Sequence, residues 1–178
     1  MPQAASFAVP RGVYPGPSPK QLLYWAGQAW DPRPVAGTWV RVGCYIADAV
    51  IALVIAMAAF SLVLAPFGLY SSTYDNEREP LAGATFGIMA VTFIAYFTCS
   101  YRWWGRTPGM MMGRLYVIGI DTGTKLTWGR ALLRALLLAL GNLCGFMTLI
   151  WLVTTASSVS KQGPHDSAAH SIVLRRFS

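Results

Sequence analysis

The sequence predicts an all-α membrane protein with three hydrophobic helices, and two observations carry that prediction. The first is composition: hydrophobic residues make up 54% of the 178-residue chain and charged residues 12%, where soluble domains hold roughly a quarter. The second is that the apolar residues come in blocks. Residues 42–70 contain one charge, and residues 81–101 and 135–160 contain none. Each block reaches the ~20 residues a helix needs to cross a hydrocarbon core. A soluble fold burying all three would have too little polar chain left to cover them.

The net charge of +7 invites a nucleic-acid reading, but the positions of the charges argue against it. Arg102, Arg106, Arg114, Lys125, Arg130 and Arg134 flank apolar blocks, opposed only by Asp121. The 71–80 connection holds Asp75, Glu77 and Glu79 against Arg78. Basic loops stay cytoplasmic, so 102–134 is expected inside and 71–80 outside. Arg11, Lys20, Arg33 and Arg41 place the N-terminus inside as well. The expected location is the plasma (inner) membrane, multi-pass, with the lipid bilayer as partner and no nucleic acid. The first block begins too late and runs too long for a signal peptide. Cys44, Cys99 and Cys144 lie singly in different blocks, which suits neither a disulfide framework nor a zinc site.

Along the chain, residues 1–38 form a Pro- and Trp-bearing cytoplasmic segment, 39–174 the transmembrane domain and 175–178 a basic tail. GVYPGPSPKQLLYWAGQAWDP pairs aromatics with turn formers, which suggests a miniature hairpin. The first helix is expected over 40–70, kinked before Pro66. The second is expected over 81–104, closed by Tyr101, Trp103 and Trp104 at headgroup level. A short cytoplasmic interfacial helix over 110–114 follows. A β-hairpin then pairs 115–120 with 125–128 about the Asp121-Thr122-Gly123-Thr124 turn. The third block, 128–158, has two readings. A single crossing is favoured, although it puts Lys161, Arg175 and Arg176 outside against the charge rule. A hairpin broken near Gly141 and Gly145 keeps both ends inside. Its halves of about 13 residues are too short to span 30 Å, so it must be re-entrant.

Asp48 interrupts RVGCYIADAVIALVIAMAAF seven residues, about 10 Å, after Arg41. An acid at that depth costs about 2.5–3.5 kcal/mol on insertion scales, so it should face the bundle and meet a cation or hydrogen-bond donor. Arg130 and Arg134, one turn apart at the start of the third block, and Arg41 are its expected partners. Gly83 with Gly87, Gly109 with Gly113 and Gly141 with Gly145 each have GxxxG spacing, which permits close helix approach. Of these, Gly141 and Gly145 are the expected packing pair.

This arrangement resembles the RDD family of small bacterial membrane proteins, named for one arginine and two aspartates. Arg41 and Asp48 in RVGCYIAD stand where the family has its arginine and first aspartate. Gly105, Thr107, Gly109, Gly113 and Val117 in GRTPGMMMGRLYV stand in its inter-helix motif. Arg134 matches the arginine entering the last apolar block, and His165-Asp166 the segment that bears the second aspartate. Met110 replaces the lysine common after the second glycine, and Ser167-Ala168-Ala169-His170-Ser171 replaces the usual leucine-alanine-glycine-threonine ending. Residues 12–30 also resemble a short actinobacterial tryptophan-rich domain of unknown function. Gly12, Tyr14, Pro17, Tyr24, Trp25, Gly27 and Trp30 match that pattern. Val13, Gly16, Leu23 and Ala26 depart from it, which makes the copy degenerate.

The RDD resemblance implies transport without naming a ligand. A small ion or solute transporter, or a component of one, is one expectation; a non-transporting membrane anchor presenting the N-terminal aromatic segment is the other. Asp48 serves as a structural ion-pair partner or as an ion-handling carboxylate. Three crossings rarely enclose a pathway, so transport calls for a homo-oligomer or a larger membrane complex. No phosphate loop, nucleophile–base pair or haem-ligating histidine pair is present, so an enzyme and a cofactor are not expected. His165 and His170 do not align with Asp166 on a helix, so a metal is not expected either.

Overall fold

The computed structural model describes residues 9–17, 21–64, 78–143, 150, 153–158 and 160–176. Two helices dominate it, α1 (Thr38–Leu64) and α2 (Arg78–Trp103). Stretches of both, Thr38–Val63 and Gly83–Trp103, are long and apolar enough to cross a membrane. The burial pattern of α1 is inverted relative to a soluble helix. Cys44, Asp48, Ala52 and Ala56 recur every four residues and face inward. Ile46, Val50, Leu53, Val54, Met57 and Leu62 face outward. Small and polar residues inside with large apolar ones outside is the arrangement expected where the surroundings are lipid. The kink expected before Pro66 and residues 71–77 of the expected loop lie outside the described residues, while 78–80, expected in that loop, belong to α2.

After α2 the chain turns through Gly105 into a short helix α3 (Pro108–Met112), two residues earlier than expected. Strand β3 (Leu115–Gly119) follows, then α4 (Trp128–Leu143). α4 repeats the inverted pattern: Ala131, Arg134, Ala135, Leu138 and Gly141 are buried, while Leu132, Leu136, Leu140 and Leu143 are exposed. Beyond it come a helical stretch over 153–157, α5 (Pro164–Ala168) and strand β4 (Ser171–Arg175).

Two expectations about this half are corrected. The hairpin of 115–120 with 125–128 does not form. β3 pairs antiparallel with β4, in a register that runs from Leu115 opposite Arg175 to Gly119 opposite Ser171. The 121–124 segment still turns, closed by Gly123 N–H to Gly119 O at 2.8 Å, but it leads into α4 instead of a strand. The second correction concerns the third block. Because β3 precedes it and β4 comes after it, its two flanks meet in one sheet. That sheet lies at the end of the helix pair where α1 begins and α2 stops. A single crossing would separate the two strands, which their pairing excludes. Cys144 and Gly145 lie outside the described residues.

The N-terminal hairpin does form, from β1 (Gly12–Pro15) and β2 (Leu22–Trp25), with Gly12 opposite Trp25. Trp30 packs on Tyr14 and Trp25, with ring centroids 5.9 and 5.1 Å away. The hairpin docks on the C-terminal sheet. Buried Tyr24 donates its hydroxyl to Ile120 O. Ala36 N–H donates to Val173 O at 2.9 Å, and Arg175 N–H to Pro34 O at 2.8 Å. Strand β4 therefore lies between β3 and the segment that leads into α1, which explains why four of its five residues are fully covered.

Leu174→Ala tests the central place of β4. Its side chain is 0% exposed, so truncation should cost about 2–5 kcal/mol and lower the melting temperature in detergent. Leu62→Ala, at a site 77% exposed, should leave it nearly unchanged. Equal effects would mean that the C-terminal strand does not carry the fold.

Candidate functional site

The site is built at the sheet end of α1, α2 and α4, where two aspartates and two arginines are buried. Asp166 opens α5 and is covered on all sides. Its Oδ2 accepts from Arg41 Nη1 at 2.9 Å, and its Oδ1 pairs with Arg134 Nη1. The Gly163 N–H, at the N-cap of α5, lies 3.4 Å from Oδ2. Each arginine has further acceptors. Arg41 donates to Ala36 O at 3.1 Å and Val173 O at 3.3 Å. Arg134 donates to Ser171 Oγ at 2.6 Å and stacks over the Tyr101 ring at 4.8 Å. Burial alone would raise the Asp166 carboxyl, but the charges around it, that of Arg134 above all, hold it below the usual carboxylate range. His165 lies 3.5 Å from the same carboxylate. Burial pushes its imidazole down to about 4, so near neutral pH it adds no third positive charge.

Asp48 is 0% exposed, yet it pairs with no arginine among the described residues. Its Oδ1 accepts from the Tyr96 hydroxyl and from Gly109 N–H, each at 2.7 Å. Its Oδ2 accepts from the Thr107 hydroxyl. Thr107 is also the N-cap of α3, accepting Met110 N–H at 3.2 Å. The opening turn of α3 thus offers its unpaired N–H and cap hydroxyl to a carboxylate from α1. Gly109 has to be glycine: a Cβ there would sit 2.6 Å from Asp48 Cγ. One at Gly113 would collide with Cys44 Sγ. The Gly109/Gly113 spacing is therefore what lets α3 touch α1. Gly105 supplies a left-handed turn at φ 65°, and its carbonyl accepts Val117 N–H at 2.7 Å.

The expected charge network is thus corrected in three ways. Arg41 and Arg134 pair with Asp166, not Asp48. Arg130 leaves the cluster altogether, bonding the exposed Asp121 at 2.8 Å. Of the motif residues, Thr107 and Gly109 bond Asp48, Gly113 packs on Cys44 and Gly105 on Lys125 and Val117, which the sequence did not reveal. Of the expected packing glycines, Gly141 is buried in α4 and Gly145 lies outside the described residues. Tyr96, Tyr101 and Ser171 were missed; an aromatic or a serine in an apolar block carries no sequence mark of its partner. A cleft of about 130 Å³ joins the two halves, lined by Arg41, Asp48, Arg134 and Asp166 together with Tyr45 and Asn142. The Tyr45 hydroxyl donates to Asn142 Oδ1 at 2.6 Å across it.

A family model described as the RDD family matches residues 35–170, a span that includes Arg41, Asp48, Arg134 and Asp166. The match begins after the N-terminal hairpin and lends no support to the tryptophan-rich resemblance. No curated protein and no solved structure matches the chain.

Asp166→Asn removes the carboxylate shared by two buried arginines. Stranding a buried charge costs about 3–5 kcal/mol, so a comparable loss of detergent stability is expected. Arg134→Gln in the same chain should recover part of it. Asp48→Asn keeps one acceptor for its neutral donors and should show no such coupling to Arg134→Gln. Coupling at Asp48 in place of Asp166 would reverse the assignment.

Proposed function

The chain belongs to the RDD family, and from that premise we propose that it handles a small ion or solute at the cleft between Asp48 and the Arg41–Asp166–Arg134 cluster. The observation that carries this reading is the cleft itself. Two acids and two arginines line one space of about 130 Å³ beside the candidate spans, enough for a few waters or a small ion. Ionisable groups at such depth mark ion and solute pathways. Two spans and a returning third block do not surround a path, so a second copy or another subunit supplies the remaining wall. The role is non-enzymatic, in the plasma membrane, with the N-terminus and the sheet cytoplasmic. The basic residues of 102–134 support that orientation. A cysteine at Thr124 should be labelled from the inner face only.

A second reading is a non-transporting membrane anchor. It is favoured by Asp48 already holding three internal donors, with none of its bonds dependent on a guest. Flux of small cations and anions into proteoliposomes separates the two. Transport predicts flux above that of empty vesicles, strongly reduced by Asp48→Asn in protein that is still folded. Flux no greater than in empty vesicles leaves the anchor.

A further inference from the structure

A second basic site lies outside the buried cluster, on the face formed by β3, the N-terminal segment and the end of β4. Tyr116 is its centre. The Arg106 guanidinium sits 4.4 Å from the ring centroid and donates to the Tyr116 hydroxyl at 2.5 Å. The Arg33 guanidinium is 5.6 Å from the same ring and is held by Asp31 at 2.7 and 2.9 Å. Two cations on one ring are thus oriented before any ligand arrives. Arg176 completes the rim of a cleft of about 460 Å³ lined by Pro32, Arg33 and Tyr116, and its N–H bonds Arg114 O at 3.0 Å. Among the described residues no carboxylate pairs with Arg106, Arg114 or Arg176.

Two features indicate what fills it. Arg114 holds a left-handed backbone at φ 55°, a conformation disfavoured outside glycine. A glycine would serve the turn better, so the arginine keeps its charge there against a local strain. The apolar surroundings are equally specific. Exposed Trp103 ends α2 and exposed Trp104 follows it, just before Arg106, and exposed Met111 and Met112 lie just before Arg114. Arginines next in the chain to exposed apolar side chains, at the end of two candidate spans, match a group with a phosphate at one end and acyl chains at the other.

We propose that this arginine cleft binds the phosphate of an anionic phospholipid headgroup, with the acyl chains against the α3 methionines and the α2 tryptophans. The proposal rests on α1 and α2 crossing a bilayer and is independent of what the Asp48 cleft handles. Guanidinium forks recognise phosphate bidentately, and the basic residues attract anionic lipid over a Debye length of about 10 Å at 0.1 M salt.

The test uses the full chain in phosphatidylcholine bilayers containing trace spin-labelled phosphatidylglycerol or spin-labelled phosphatidylcholine. Paramagnetic resonance reads the motionally restricted fraction of each. A several-fold preference for phosphatidylglycerol is expected, persisting in millimolar inorganic phosphate. It should fall to none in the Arg106→Gln, Arg114→Gln, Arg176→Gln triple variant. A control triple with the same charge removed elsewhere (Arg11→Gln, Arg130→Gln, Lys161→Gln) should retain it. Should the first triple fail to fold, Arg176→Gln alone, at an exposed position, should lower the preference measurably. The proposal is overturned by any of four results: no preference in the wild type, no change in the cleft variants, equal losses in both triples, or displacement by inorganic phosphate.

Discussion

One carboxylate, Asp166, is bonded to two arginines that arrive on different helices, and the rest of the molecule is arranged around that junction. Arg41 comes from the first turn of α1 and Arg134 from the second turn of α4, while Asp166 itself comes from the segment leading into β4. A buried ion pair gains little over apolar packing, because desolvation cancels most of its attraction. Breaking it is another matter, since each arginine would then be left charged and dry. The junction therefore selects a topology more than it adds stability. Any arrangement that sends the C-terminal segment elsewhere leaves two buried cations without an anion.

Asp48 solves the same desolvation problem by different means. Its donors are a tyrosine hydroxyl, a threonine hydroxyl and one backbone N–H, all uncharged and fixed in place by α2 and α3. Carboxylates accept such donors at roughly twice the strength of neutral acceptors. Three of them make a buried acid tolerable without a counter-charge. The requirement on the sequence is steric. α3 approaches α1 closely enough only because Gly109 and Gly113 present no side chain to Asp48 and Cys44. The two acids thus perform separate tasks. Asp166 closes the chain's return, and Asp48 docks the inter-helix segment.

The β3–β4 sheet links these two centres. β3 is aimed by Gly105 and by α3, hence by Asp48. β4 is anchored by Ser171, which accepts from Arg134 and lies 3.2 Å from Asp166 O. The N-terminal hairpin then uses the outer edge of β4 through Pro34 and Ala36. A small β layer is thereby welded to the ends of the helices without needing a large core of its own, and its outer face is left to carry the arginines around Tyr116.

The sequence by itself determined the features that depend on neighbours in the chain. The apolar blocks defined α1 and α2, since a run of that length requires helix wherever water is absent. Aromatics alternating with turn formers defined the N-terminal hairpin, and the short helix α3 is expected two residues later than it begins. Order and spacing were enough for family membership. Only the tertiary structure decided who pairs with whom. Arg41, Arg130 and Arg134 are equivalent cations in the sequence. Which of them is buried depends on how α4 rotates, and its buried face carries Arg134 and turns Arg130 to solvent. The partner of Arg41 lies 125 residues away, and that of Tyr24 lies 96 away. Strand β3 likewise rejects the adjacent segment for β4, because Trp128 and the residues after it belong to α4. Local patterns set backbone conformation, but pairing between buried charges is set by packing, and packing joins residues that no short-range pattern relates.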